Sequence, residues 1–321
     1  KTYYWKVMVW DNHGRVSVWS RPGNWQMGLL TPADWKGARW IAYEKMPDSD
    51  YIVPAIHLRG PKKLGYANDV LPLMRKTFSI GRQLKKATLY ICGLGHFELS
   101  LNGKKIGDHF LDPGWTKYDK QALYVTFDIT RQLKAGKNTL GVMLGNGFYY
   151  IPRDKRYRKL TGAYGYPKMI CRLVLEYAGG KTENLVSGTS WKTAPGPITY
   201  SSIYGGEDYN ATLEQTGWNT NAFNDARWRK VITVDGPPML NAQMADPLKV
   251  MRTFSPVSKT RLGAGTWVYD VGQNSSGIPQ ITVQGKKGDT VRVIPAELLN
   301  ADGSANQKGS GGPYYCDYIL R

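Results

Sequence analysis

Between Ser201 and Ala211 the chain reads SSIYGGEDYNA. Gly205 and Gly206 let the backbone turn sharply. Glu207, Asp208 and Asn210 then offer side-chain oxygens close to the rings of Tyr204 and Tyr209. Such a set suits a sugar, whose ring stacks on an aromatic face while carboxylates and amides hold its hydroxyls. The same oxygens suit Ca2+, a hard cation that takes about six to eight of them. The competing use is local, since Asp and Asn in Gly-rich turns commonly serve the turn, and acids pair with nearby Lys or Arg. Glu207 and Asp208 are adjacent, so on a strand they point to opposite faces. That geometry is poor for the paired carboxylates of a glycosidase, which stand about 5–9.5 Å apart across one sugar.

Two further stretches carry similar chemistry. LDPGWTKYDK puts Trp115 directly after Pro113-Gly114, a turn able to hold an indole outward as a sugar platform. The competing use is packing, because Trp is highly buried on average. LGNGFYY sets Asn146 between two glycines, where it either reaches a ligand or occupies a left-handed turn position. The candidate sugar-binding residues are therefore Trp115, Asn146, Tyr204, Glu207, Asp208 and Asn210, and no residue of the chain is singled out as catalytic. His57, His96 and His109 show neither HxH nor HExxH spacing, which argues against zinc. No GxSxG elbow is present, and the GxG pairs in GLGHFE and LGAGTW do not extend to GxGxxG.

The elements that must position these residues are strands. Period-two alternation runs through YYWKVMVWD, ATLYICGLGHFELSL, ALYVTFDIT, NTLGVMLG, KMICRLVLEY and GIPQITVQGKKGDTVRVIP. Asn102-Gly103 is a strong hairpin signal, and AGGK and GKKGD supply further turns. RQLKAGKN and NDARWRKV each suit at most one helical turn. The fold class expected is all-β, in tandem β-sandwich domains. Residues 1–32 read as the end of a small sandwich, 33–245 as a second module, and 246–321 as an incomplete third. GPP at Gly236 and DP at Asp246 serve as the linker, and YYCDYILR reads as a strand cut off before its partner.

Composition narrows the classes. The 321 residues are 41% hydrophobic and 12% aromatic, which fits a folded globular protein. No apolar run reaches the roughly 18 residues needed to cross a bilayer. Cys92 and Cys171 lie in apolar strand patterns and read as buried free thiols; with Cys316 they form no CxxC pair. The net charge of +18 is scattered over turns and strand ends, with no recognition helix or RNP-like strand to suggest nucleic acid. It suits an acidic polymer, and a uronate-bearing polysaccharide above all. The dense basic run IPRDKRYRKLTG, from Ile151 to Gly162, is either a solvated loop or part of that attraction.

Taken in order, these stretches resemble the N-terminal accessory region of bacterial α-L-rhamnosidases of the glycoside hydrolase family 78 type. YYWKVMVWDNHGRVSVWSRPGNWQMG looks like the end of that family's fibronectin-III-like domain. The run KATLYICGLGHFELSLNGKKIGDHFLDPGWTKYDKQALYVTFDIT is similar to its carbohydrate-binding-like jelly roll, with LGVMLGNGFYY and SWKTAPGPITYSSIYGGEDYNATLE continuing it. VYDVGQNSSGIPQITVQGKKGDTVRVIPAELLNADGS looks like the sandwich before the catalytic domain. The resemblance implies an (α/α)6 catalytic barrel following Arg321 in the same polypeptide, acting on terminal L-rhamnose. It also implies a rhamnose-containing polysaccharide, neutral or acidic, as partner, export to the periplasm or medium, and calcium as an optional cofactor. The ending NQKGSGGPYYCDYILR looks more like relatives acting on uronate-linked rhamnose, so a lyase relative is the alternative chemistry. A stand-alone carbohydrate-binding protein is the alternative class.

Overall fold

The computed structural model describes residues 2–56, 71–151, 156–157 and 160–321. His57 and most of the basic run after Ile151 lie outside the described residues. Strands dominate, and the helical pieces among the described residues are single 3-10 turns at Pro32–Trp35, Asp48–Asp50 and Ala211–Leu213. RQLKAGKN and NDARWRKV hold turns in place of helix. In the first of these, the buried Asn138 amide donates to the carbonyls of Lys134 (2.6 Å) and Gly136 (3.0 Å), fastening the turn to the next strand.

Two sheets face each other. In one, Leu84–Leu94 lies between Lys168–Tyr177 and Gln121–Asp128, antiparallel to both. In the other, Gly136–Gly145 lies between Pro72–Ile80 and His96–Leu101, again antiparallel. Alternation sends Leu89 and Ile91 into the space between the sheets, where they meet Leu173, Val142, Leu144 and Trp191. The opposite face of the same strand is buried too: Tyr90, Cys92 and Leu94 lie under Trp35, Tyr118, Tyr124 and Tyr149. Burial on both faces is why ATLYICGL runs almost without a polar residue. Each fully buried Leu or Ile there contributes about 1.5–3 kcal/mol. Cys92 and Cys171 are free and buried, as expected, and desolvation pushes both thiols up, Cys171 to about 12.

The Asn102-Gly103 turn forms as expected. Both residues have positive φ, 51° and 84°, the conformation of a type I′ hairpin, and they join His96–Leu101 to Lys104–Lys105.

Two expectations for the last segment need correction. GKKGD does not close a hairpin: Thr290–Val293 is a strand, but the stretch before it, GIPQITV, carries none and leaves Ile278 and Ile281 exposed. Thr290–Val293 pairs instead with Cys316–Ile319, a partner distant in sequence. YYCDYILR is likewise not a strand without a partner. Cys316–Ile319 is central, parallel to Gly206–Asn210 on one side and antiparallel to Thr290–Val293 on the other. The hairpin formed by Ile198–Ser202 and Gly206–Asn210 thus ties the last segment to the sandwich. Leu248–Lys249 adds a second tie by pairing with His109–Phe110.

Outside the sandwich, apolar side chains stay uncovered. Val18 in the opening segment and Met251 in the last are both about nine-tenths exposed, at 90% each.

Gly206 is the tightest point of the junction. Its φ is +97°, and a Cβ there would stand 2.0 Å from the Tyr315 carbonyl oxygen. Gly206→Ala is expected to cost about 2 kcal/mol or more, read as a lowered urea midpoint. Limited proteolysis should cut the 290–321 segment first in this variant; an unchanged midpoint would refute the assigned close approach.

Candidate functional site

The sequence candidates divide according to what already holds them. Asp208 is taken by Arg156, whose guanidinium donates to both carboxylate oxygens at 2.9 and 2.8 Å. Arg156 also lies 3.6 Å from the Tyr315 ring centre and 3.9 Å from Asp317, so this pair clamps the hairpin to the last strand. Asn210 caps the short 3-10 turn, accepting from the backbone N–H of Thr212 at 3.0 Å and from its hydroxyl at 2.6 Å. Asn146 is buried, and its amide donates to the Ser201 carbonyl at 2.7 Å, bracing the same hairpin.

Glu207 differs. Its carboxylate makes no hydrogen bond or ion pair among the described residues. The residue is solvent-exposed, with neighbouring protein atoms partly desolvating its carboxylate. This desolvation, followed by the like charges of Asp208 and Glu98, pushes its pKa up to about 7. Trp115 and Tyr204 belong to one row of rings, with Trp115 at its end. Trp115, 67% exposed, packs on Phe148 at 5.1 Å, and Phe148 meets Tyr204 edge-on at 5.8 Å. Tyr204 in turn stacks on Tyr157 at 4.4 Å. Pro113-Gly114 does hold the indole outward.

A second place escaped the sequence reading. A cavity of about 370 Å3 opens beside the sandwich, walled by Tyr51, Tyr118, Tyr149 and Tyr164 and floored by Asp119 and Lys168. The rings lock edge to face: Tyr118 lies 5.2 Å from Tyr149 and 5.4 Å from Tyr164, which is 5.9 Å from Tyr51. The Tyr118 hydroxyl and Oδ1 of Asp119 are buried and have no hydrogen-bond partner among the described residues. Leaving such groups unmatched costs about 1–3 kcal/mol each, so a ligand that matches them recovers that free energy. Burial raises the Tyr118 pKa, which keeps the phenol protonated as a donor. Lys168 donates to the Asp235 carbonyl at 2.9 Å, and burial lowers its pKa to about 8. Its remaining N–H bonds have no acceptor among the described residues.

The arrangement fits a small polyhydroxy ligand: ring faces, one unmatched acceptor, one unmatched hydroxyl and a spare ammonium donor. The volume lies within the range of about 300–1,000 Å3 usual for small-molecule sites. Four acidic residues line it, Glu44, Asp48, Asp119 and Asp235, against Lys45 and Lys168, so a neutral ligand is favoured over an anion. Among the described residues no three His, Cys, Asp or Glu side chains converge to hold a metal ion. TKYDK held the only local signal; the other walls come from Glu44 to Tyr51, Tyr149, Tyr164 and Asp235 to Pro238, far apart in sequence.

The raised pKa of Glu207 sets a pH dependence. The unfolded chain loses this proton near the ordinary 4.5, whereas the folded protein keeps it until about 7. Stability is therefore lost as pH rises between those values. Glu207→Gln should match the wild type at pH 4 and exceed it in melting temperature at pH 8. A variant less stable than the wild type at pH 8 would show that the carboxylate has a stabilising partner.

Known proteins bear on the chain as a whole. Residues 82–252 match the family model of the alpha-L-rhamnosidase N-terminal domain. Residues 260–320 match the bacterial alpha-L-rhamnosidase concanavalin-like domain, and residues 1–31 a Rha78A-like N-terminal immunoglobulin domain. An alpha-L-rhamnosidase of Formosa agariphila is 36% identical over 318 residues, 97% of this chain and 33% of that protein. The alpha-L-rhamnosidase structure from Dictyoglomus thermophilum superposes with a TM-score of 0.81 at 33% identity, covering 100% of this chain and 35% of that one. For the Aspergillus terreus enzyme the values are 0.82 and 30%, covering 100% and 36%. The chain spans about a third of the length of the curated relatives it matches. Its all-β fold and its matches over more than half its length agree: the chain belongs to the α-L-rhamnosidase family and carries that family's N-terminal β domains.

Proposed function

We propose that this chain is the non-catalytic, saccharide-binding front region of a longer α-L-rhamnosidase that removes terminal L-rhamnose from a polysaccharide or glycoside. The tyrosine-walled cavity with its unmatched Tyr118 hydroxyl and Asp119 oxygen carries the reading. A deoxyhexose is neutral, offers an apolar face to the rings, and presents hydroxyls that match both orphaned atoms. The exposed row ending in Trp115 is a second surface on which a longer glycan can lie. Uncovered apolar residues of the last segment, Met251 and Leu298 among them, are contacts for the catalytic part of the same polypeptide. Export to the periplasm or medium is part of the proposal, since polymeric substrates lie outside the cell.

Catalysis is assigned to the rest of the parent enzyme, so the 321-residue chain should release no rhamnose from an aryl rhamnoside. Calorimetric titration with L-rhamnose and methyl rhamnoside tests the binding. Asp119→Ala and Tyr118→Phe are each expected to weaken it about tenfold, roughly 1.4 kcal/mol, with melting temperatures near that of the wild type. Affinity should persist in EDTA, because Asp119, Tyr118 and Lys168 supply the proposed contacts. Wild-type affinity in both variants would remove the cavity from the reading, and loss in EDTA would install an ion in it.

A further inference from the structure

The cavity favours a neutral sugar, which leaves the charge of +18 without a site of its own. The strand pair Ser258–Gly263 and Thr266–Asp270 offers one. Lys259 faces Tyr269 across the pair, and Arg261 faces Trp267. Directly opposed residues share a face, so two cations and two rings alternate on one side of the hairpin. Thr260 and Val268 occupy the other side, and Leu262 packs toward Gly303. The basic and aromatic side is therefore the outer one. Lys259 Nζ lies 4.1 Å from the Trp267 ring centre and 5.2 Å from that of Tyr269, and the Arg261 guanidinium lies 5.8 Å from Trp267. Arg252 repeats the arrangement on Phe254 at 4.7 Å.

Neither Lys259 nor Arg261 has a carboxylate partner among the described residues. From Val250 to Gly277 the lone carboxylate is Asp270. It faces the other side of the hairpin, where its Oδ1 accepts from the Gly272 N–H at 2.7 Å. The rings hold the cations in place, and Trp267 and Tyr269 stay 44% and 54% exposed. Fixed cations without counter-ions, set among half-exposed rings, fit a polymer that carries carboxylates on apolar-faced rings.

We propose that this hairpin face binds a carboxylated saccharide, the uronate units of an acidic polysaccharide, while the cavity holds a neutral sugar. The inference rests on the saccharide-binding reading and adds a second, charge-selective site to it. Nucleic acid shares the charge requirement. The saccharide is favoured because the chain belongs to a family of carbohydrate-active enzymes.

Affinity electrophoresis of the 321-residue protein through polygalacturonate, its methyl ester, and single-stranded DNA tests this. Polygalacturonate should retard the wild type, the neutral ester should not, and retardation should fall with salt. Lys259→Gln with Arg261→Gln should weaken retention at least fivefold, and Lys259→Arg with Arg261→Lys should restore it. The glutamine variant should keep the wild-type melting temperature and the rhamnoside affinity of the cavity. Undiminished retention in that variant, equal retention by the ester, or stronger retention by DNA would each overturn the proposal. If rhamnoside binds and polygalacturonate does not, only the hairpin site falls. If neither binds, the saccharide-binding reading itself fails.

Discussion

Burial of the Leu84–Leu94 strand on both faces is the constraint from which the rest follows. One side completes the core between the sheets through Leu89 and Ile91, and the other, through Tyr90, Cys92 and Leu94, supports a second layer. That layer contains Tyr118 and Tyr149, two of the cavity walls. A surface loop would let these rings rotate. Here they are seated on a strand that cannot shift without exposing both cores, and losing a single Leu from such a core costs about 2–5 kcal/mol. Rigid seating keeps the Tyr118 hydroxyl and the Asp119 oxygen unmatched, because the chain cannot relax to satisfy them.

The second constraint is electrostatic and acts at the junction with the last segment. Arg156 holds Asp208 by two hydrogen bonds and lies on the ring of Tyr315, with Asp317 close by. The pair is largely withdrawn from solvent, so breaking it would leave a charge without a partner, at a cost of about 3–5 kcal/mol. Arg292 supports the same cluster by pairing with Asp317 through two hydrogen bonds of 2.7 Å. Asp208 therefore serves the architecture, while its neighbour Glu207, on the opposite face of the strand, stays unpaired. Adjacent carboxylates acquire different duties because a strand alternates its faces.

Charge is distributed with the same economy. The cavity is lined by more acidic than basic residues, although the chain as a whole is strongly basic. The excess of Lys and Arg lies elsewhere, in part on the outer side of the 258–270 hairpin, where rings in place of carboxylates flank the cations. The chain thus carries one pocket of net acidic lining and one cationic face, two chemically different surfaces.

Much of the architecture was legible in local pattern. Alternation marked the strands, Asn102-Gly103 marked its turn, and Cys92 and Cys171 were readable as buried thiols, since each depends on neighbours a few residues away. The outward Trp115 was legible as an option from Pro113-Gly114. Pairing at a distance was not. The sequence suggested that Thr290–Val293 would fold back on GIPQITV and that YYCDYILR would lack a partner, whereas tertiary packing joined Thr290–Val293 to Cys316–Ile319 and set that strand beside Gly206–Asn210. Strand edges satisfy whichever hydrogen-bonding partner the fold brings near, and adjacency in sequence is only one way to be near. For the same reason the cavity was invisible: its tyrosines come from positions 51, 118, 149 and 164. Local pattern determined the strands and turns, and long-range packing decided which polar side chains they leave without partners among the described residues.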